Sequence, residues 1–124
     1  MAKKILIAED EANIVASIEF LLQQAGYEVR IARDGEEALR AVGEFLPDLV
    51  LLDVMMPLRN GFEVCQKIRE NPQWKHIRIV MLTAKGRQSE ISKGMALGAD
   101  AYLLKPFATK DLLEQVRGLL GAPR

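Results

Sequence analysis

The chain has 124 residues, of which 49% are hydrophobic, and its 17 Lys and Arg residues balance its 17 Asp and Glu residues. This length predicts one domain over residues 1–124 that can bury a core without structural metals or disulfides. The balanced charge argues against a nucleic-acid or acidic-membrane partner. Because the only cysteine is Cys65 and no leader or long apolar stretch precedes the first strand, we expect a cytoplasmic protein.

Short apolar runs rich in branched residues alternate with helix-like segments along the chain. Such runs are typical of buried parallel strands, because each crossover helix covers one face of the sheet. The predicted strands cover residues 5–8, 29–32, 49–52, 77–82 and 102–104. The sequence therefore predicts an α/β fold with five parallel strands and five helices.

The helices are predicted from apolar spacing and from end signals. Gly26 ends the first helix, Asp34 is expected to cap the second, and Thr109 the fifth. Cys65 falls on the apolar stripe of the third helix, which predicts a core cysteine rather than a reactive one. The predicted helices cover residues 14–25 and 36–45, a segment from about Gly61, residues 89–97 and a segment after Thr109.

Three carboxylates follow predicted strands, at the edge where open parallel sheets bind ligands. Asp53 ends an apolar run, where an ionised carboxylate needs partners because its transfer out of water is costly. Glu9 and Asp10 follow the first strand directly and meet Asp53 if the first and third strands are neighbours. Like charges this close need a cation, and oxygen ligands suit Mg²⁺. Alternatively, Glu9 and Asp10 only cap the first helix.

Two further polar residues end predicted strands. Thr83 ends the fourth strand and Lys105 ends the fifth. Taken singly, Thr83 is a common residue at a strand end and an isolated lysine there is usually a solvated charge. Together with three carboxylates, however, the two residues suit the binding of a phosphoryl group. Cations would stabilise its oxygens while a carboxylate acts as the nucleophile.

Four motifs contain these residues, namely "ILIAEDE" at 5–11, "LVLLDVMMPLRNGFE" at 49–63, "IVMLTA" at 79–84 and "GADAYLLKPF" at 98–107. With these motifs the chain resembles the receiver domains of two-component response regulators, in particular the single-domain chemotaxis regulators. The resemblance implies a flavodoxin-like, doubly wound sheet with strand order 2-1-3-4-5. It also implies a signalling domain that accepts a phosphoryl group on Asp53 from a partner's phosphohistidine and slowly hydrolyses the acyl phosphate.

The resemblance assigns a metal site and a lysine contact. Asp10 and Asp53 would bind Mg²⁺ directly, Glu9 through a water molecule, and Met55 through its backbone carbonyl, with Mn²⁺ as a substitute metal. Lys105 would pair first with Asp53 and then with the phosphoryl oxygens.

The resemblance also assigns the conformational switch. Thr83 would move to donate a hydrogen bond to the phosphoryl group, and Tyr102 would turn inward into the space that Thr83 leaves. The bond between Lys105 and Pro106 is usually cis in the family, which aims the lysine. We expect residues 84–90, which are polar and contain a glycine, to be mobile.

Two positions of the family flank the water that hydrolyses the acyl phosphate, and here they hold Met55 and Lys85. Met55 is apolar and cannot orient a water molecule. Met55→Asn is therefore expected to speed dephosphorylation, which the decay of the phosphorylated protein would measure.

The partners follow from the same resemblance. The only histidine, His76, lies in a loop, so the donor is expected to be a sensor histidine kinase or a histidine phosphotransfer protein. The output face is expected to be helix 4, strand 5 and helix 5. Ala101 and Gln115 replace an acid and an arginine that pair receivers of winged-helix transcription factors, which favours a monomer or another, phosphorylation-dependent homodimer.

Two other functions share part of this residue pattern. A pseudo-receiver would only bind proteins, but the complete set of five polar residues argues against it. A haloacid-dehalogenase-like hydrolase also uses a strand-end aspartate, but it needs a second aspartate where this chain has Met55.

Overall fold

A computed structural model of the chain describes residues 2–84 and 88–121. Its sheet has five strands in the order β2-β1-β3-β4-β5, and all pairings are parallel. This confirms the predicted doubly wound, flavodoxin-like architecture. The strands are β1 (Lys4–Ala8), β2 (Glu28–Ala32), β3 (Leu49–Asp53), β4 (Arg78–Ala84) and β5 (Ala101–Lys105).

Helices connect the strands as predicted. They are α1 (Ala12–Gln24), α2 (Gly35–Phe45), α3 (Gly61–Glu70), α4 (Gln88–Ala96) and α5 (Thr109–Leu120), with a short 3₁₀ turn at Pro72–Trp74. Among the described residues, none of these helices has the length and apolar character needed to cross a lipid bilayer.

The helix caps agree with the sequence in one case and differ in another. Asp34 caps α2, because its carboxylate accepts a hydrogen bond of 2.8 Å from the amide of Glu37. The prediction that Thr109 caps α5 is wrong. Thr109 is already the first helical residue, and the extended residue before it is Ala108, whose methyl group offers no acceptor.

The core has two layers, one on each face of the sheet. Successive residues of a strand point to opposite faces, so each apolar strand contributes side chains to both layers. Ile5 and Ile7 of β1 pack with residues of α1 and α5, whereas Leu6 and Ala8 pack with residues of α2 and α3. Cys65 is fully buried in the second layer, which confirms the prediction of a core cysteine.

An ion-pair network joins α3 to the starts of β4 and β5. The guanidinium of Arg69 donates to the carbonyl oxygen of Gly98 at 2.8 Å and to the carboxylate of Asp100 at 2.9 Å. Asp100 also accepts a hydrogen bond of 2.8 Å from the amide of Ile79. Because the Asp100 carboxylate binds both Arg69 of α3 and the amide of Ile79 in β4, the network fixes the position of α3 on the sheet.

The strand order creates a crevice at one edge of the sheet. The chain leaves β1 towards β2 on one side and later enters β3 on the other side. The loops that follow β1 and β3 therefore diverge, and such a point is where ligands bind in open α/β sheets. Ala8 lies opposite Leu52 in the β1–β3 pairing, so the residues that follow both strands meet at this crevice.

Candidate functional site

A buried carboxylate and a lysine form the centre of the crevice. Asp53, the last residue of β3, is only 4% exposed. Nζ of Lys105, at the end of β5, lies 3.0 Å from Oδ1 of Asp53 and 2.9 Å from Oε1 of Glu9. The peptide bond from Lys105 to Pro106 is cis, as the family resemblance implies. The structure therefore brings together residues that are 44 and 52 positions apart along the chain.

The buried position of this cluster shifts the pKa values of Asp53 and Lys105. Burial raises the pKa of Asp53 to about 6, and the charge of Glu9 adds to the rise, while the hydrogen bond from Lys105 opposes it. Burial by itself would lower the pKa of Lys105, but the contacts and charges of Glu9 and Asp53 outweigh that effect and raise it. Two carboxylates thus share one ammonium group in a poorly solvated site.

A third carboxylate completes an acidic cluster. Glu9, Asp10 and Asp53 each offer one oxygen, and these oxygens lie within 4.8 Å of one another. Glu9 is completely buried, and its Oε1 has an ion pair with Lys105 but no partner with hydrogen-bond geometry. An oxygen-only donor set with an under-used buried oxygen fits a hard divalent cation such as Mg²⁺.

The capping role considered for Glu9 and Asp10 is wrong, because the N-cap of α1 is Glu11 and no side-chain bond caps this helix. Oε2 of Glu9 instead accepts a hydrogen bond of 3.1 Å from the amide of Glu11. The buried acid thus organises the turn between β1 and α1. This contact leaves Oε1 directed at Lys105.

Thr83 lies in β4 beside the cluster and is 2% exposed. Its hydroxyl donates a hydrogen bond of 2.7 Å to Oε1 of Glu90, in the first turn of α4. Asp53, Thr83, Glu90 and Lys105 all line one cavity of about 90 Å³. The contact with Glu90 was not predicted, because an acid in the first turn of a helix is common and the sequence does not show that it reaches back to β4.

The remaining predicted residues lie at the rim or outside the described part of the chain. Met55 is 71% exposed, and its backbone amide is 3.4 Å from Oδ1 of Asp53. Tyr102 is 40% exposed, so its ring has not turned inward. Lys85 lies outside the described residues, as does part of the segment 84–90 that was expected to be mobile.

Two glycines allow the loop after Asp53 to pack closely. A Cβ atom on Gly61, the first residue of α3, would overlap the backbone carbonyl of Asp53 and lie 2.9 Å from Cα of Val54. A Cβ atom on Gly35 would overlap the backbone carbonyl of Arg59. The loop from β3 to α3 is therefore held against the start of α2. The sequence signal for the second contact was a glycine placed directly after the capping Asp34.

Comparison with known proteins establishes the family. A family model described as the response regulator receiver domain matches residues 5–117. The chain belongs to this family. It is 40% identical over 120 residues to the phosphate regulon transcriptional regulatory protein PhoB of Rhizobium meliloti (strain 1021), a match that covers 97% of the chain and 53% of PhoB. The chain therefore spans about half the length of this curated relative.

Solved receiver structures share the fold. The chemotaxis response regulator CheY4 of Vibrio cholerae is 36% identical with a TM-score of 0.91, and the match covers 97% of this chain and 100% of that chain. The receiver domain of the sensor histidine kinase PA1611 from Pseudomonas aeruginosa PAO1, solved with a magnesium ion coordinated in its active site cleft, is 28% identical with a TM-score of 0.89, covering 98% and 100%. The chain is thus a receiver domain of the two-component response regulators.

Proposed function

We propose that this receiver is a phosphorylation-dependent switch in which Asp53 accepts a phosphoryl group from a phosphohistidine of a partner protein. The observation that carries the proposal is the crowding of three carboxylates, those of Glu9, Asp10 and Asp53, two of which share the ammonium group of Lys105. A structural ion pair for Lys105 would need a single carboxylate. The excess negative charge favours a site that takes up a cation and a reacting phosphoryl group.

We propose that Asp10, Asp53 and the backbone carbonyl of Met55 hold Mg²⁺ directly and that Glu9 holds it through a water molecule. The oxygen-only donor set supports this ligand assignment, and Mn²⁺ would accept the same ligands. The magnesium ion in the active site cleft of the related PA1611 receiver supports a magnesium site in this fold. When bound, the cation supplies positive charge that offsets the carboxylates and the phosphoryl oxygens.

In the transfer step, a carboxylate oxygen of Asp53 attacks the phosphorus atom of the donor. The P–N bond breaks, and its electron pair returns to the imidazole nitrogen of the donor histidine. Burial leaves the Asp53 carboxylate with little solvent to displace, which favours its role as nucleophile. Lys105 then moves its contact from the carboxylate to the phosphoryl oxygens, and Thr83 donates a hydrogen bond to them.

Hydrolysis ends the signal. The oxygen of a water molecule attacks phosphorus, the bond to the Asp53 oxygen breaks, and the electron pair returns to the carboxylate. Both protons of the water leave with inorganic phosphate. We propose that Met55 and Lys85 flank this water and that the apolar Met55 makes the acyl phosphate long-lived.

The donor histidine is expected to lie outside residues 1–124. His76 is exposed and precedes β4, so it lies at the sheet edge opposite the one that holds Asp53. The seven residues of β4 separate these edges by roughly 20 Å at about 3.3 Å per residue. A sensor histidine kinase or a histidine phosphotransfer protein therefore supplies the phosphoryl group.

The output follows from the elements that adjoin the site. Thr83 lines the cavity and contacts Glu90 of α4, and Tyr102 lies in β5, so we propose that a downstream protein or output domain docks on the face formed by α4, β5 and α5. The protein works in the cytoplasm, as a monomer or as a phosphorylation-dependent homodimer. Its charge gives no warrant for direct binding to nucleic acid or membranes.

The experiment is incubation with acetyl phosphate and Mg²⁺, followed by intact mass spectrometry. The wild type should gain one phosphoryl mass, and Asp53→Asn and a chelator-treated sample should not. Asp111→Asn, which changes an exposed aspartate of α5, is the matched control and should behave as the wild type.

Two results would contradict the proposal. An equal mass gain in Asp53→Asn would place the acceptor elsewhere. No gain with acetyl phosphate or phosphoramidate, together with no binding of the phosphoryl analogue beryllofluoride, would favour a pseudo-receiver that only binds proteins.

A further inference from the structure

The carboxylate of Glu90 accepts the hydrogen bond from the Thr83 hydroxyl, the same hydroxyl that would donate to a phosphoryl group on Asp53. The hydroxyl of Thr83 donates to Oε1 of Glu90 at 2.7 Å, and both residues line the cavity that also contains Asp53 and Lys105. Because Thr83 is buried, the acceptors available to its hydroxyl are protein groups and a phosphoryl group rather than bulk water. The hydrogen bond is therefore part of the reaction site.

A threonine hydroxyl carries a single proton and can donate one strong hydrogen bond at a time. While Thr83 donates to Glu90, it cannot donate to a phosphoryl oxygen on Asp53. A hydrogen bond to an ionised carboxylate is also stronger than one between neutral groups. Phosphorylation must therefore break a favourable contact before Thr83 can stabilise the phosphoryl group.

We propose that Glu90 is a positioning residue that holds the Thr83 hydroxyl towards α4 in the unphosphorylated receiver and competes with the phosphoryl group for it. The inference rests on the proposed function and adds a residue that the family resemblance does not assign. The competition lowers the apparent affinity of the site for a phosphoryl group by the fraction of molecules in which Thr83 is released. It also ties the first turn of α4 to β4 until Asp53 is phosphorylated.

The test uses beryllofluoride with Mg²⁺ as a phosphoryl analogue, and ¹⁹F NMR measures its apparent affinity for the whole chain. Glu90→Ala removes the competing acceptor and should tighten binding about tenfold, and Glu90→Gln, which keeps a neutral acceptor, should tighten it less. Glu70→Ala, at the exposed far end of α3, is the matched control and should leave the affinity unchanged.

The decisive comparison repeats the substitution in a Thr83→Ala background. If Glu90 acts through the hydroxyl, Glu90→Ala should no longer change the affinity when the hydroxyl is gone, which a double-mutant cycle measures as coupling. A simple loss of negative charge near the site would tighten binding equally with and without Thr83. A merely structural role would lower the urea midpoint of unfolding without tightening binding.

Three outcomes would overturn the inference. They are an unchanged or weaker affinity in Glu90→Ala, an equal gain in the Thr83→Ala background, and no binding by the wild type. The last result, together with no mass gain from acetyl phosphate or phosphoramidate, would also remove the proposed function, whereas the first two leave Asp53-dependent binding by the wild type intact. The failure of the two proposals is therefore distinguishable.

Discussion

Replacing Asp53 by asparagine should stabilise the metal-free receiver. The pKa of Asp53 rises from its ordinary 3.8 to about 6 on folding, mainly through burial. Each pKa step of one corresponds to about 1.4 kcal/mol, so ionised Asp53 costs the folded state about 3 kcal/mol near neutral pH. Asparagine removes that cost but gives Lys105 a weaker partner, so we expect a net gain of about 1–3 kcal/mol in the free energy of unfolding.

The sign of the pH dependence follows from the direction of the shift. The folded protein binds the Asp53 proton more tightly than the unfolded chain does, so this group favours folding below about pH 4. That contribution is lost as the pH rises through the folded pKa of about 6. The advantage of Asp53→Asn over the wild type should therefore be small near pH 4 and full near pH 7.

Urea denaturation in excess chelator at several pH values measures this difference, with Asp111→Asn as the control. Excess Mg²⁺ should then stabilise the wild type more than Asp53→Asn, because a ligand that binds only the folded state stabilises it by mass action. An Asp53→Asn variant that is no more stable than the wild type near neutral pH in chelator would refute the reasoning.

Other predictions test the scaffold around the site. Gly61→Ala should lower the free energy of unfolding by about 2–4 kcal/mol in urea denaturation, because the new methyl group meets the carbonyl of Asp53. An unchanged midpoint would show that the loop between β3 and α3 moves to make room for the methyl group. Asp100→Ala should cost about 2–3 kcal/mol in the same assay, since it leaves the guanidinium of Arg69 without its carboxylate, and a loss near zero would mean that the network contributes nothing. Cys65, whose pKa burial raises to about 11, should react with a thiol reagent at mildly alkaline pH only after urea unfolds the chain, and rapid labelling of the folded protein would contradict its placement.

The sequence by itself determined the architecture and most of the site. Alternating apolar runs and helical stripes favour a parallel sheet covered on both faces, because each crossover helix lays its apolar stripe on one face of the sheet. Asp53 was informative because a carboxylate at the end of an apolar strand needs partners. Glu9, Asp10, Thr83 and Lys105 could be assembled around it because the carboxyl ends of parallel strands share one sheet edge and because the family resemblance implied the strand order 2-1-3-4-5.

Only the tertiary structure decided which partner each polar group takes. Local spacing could not show that the Thr83 hydroxyl points to Glu90, because that contact depends on where α4 settles against β4. Nor could it show that Lys105 serves Glu9 as well as Asp53, or that Ala108 rather than Thr109 precedes the first turn of α5. A hydrogen bond is settled by positions to within tenths of an ångström, and those positions come from the packing of elements that are distant in the chain.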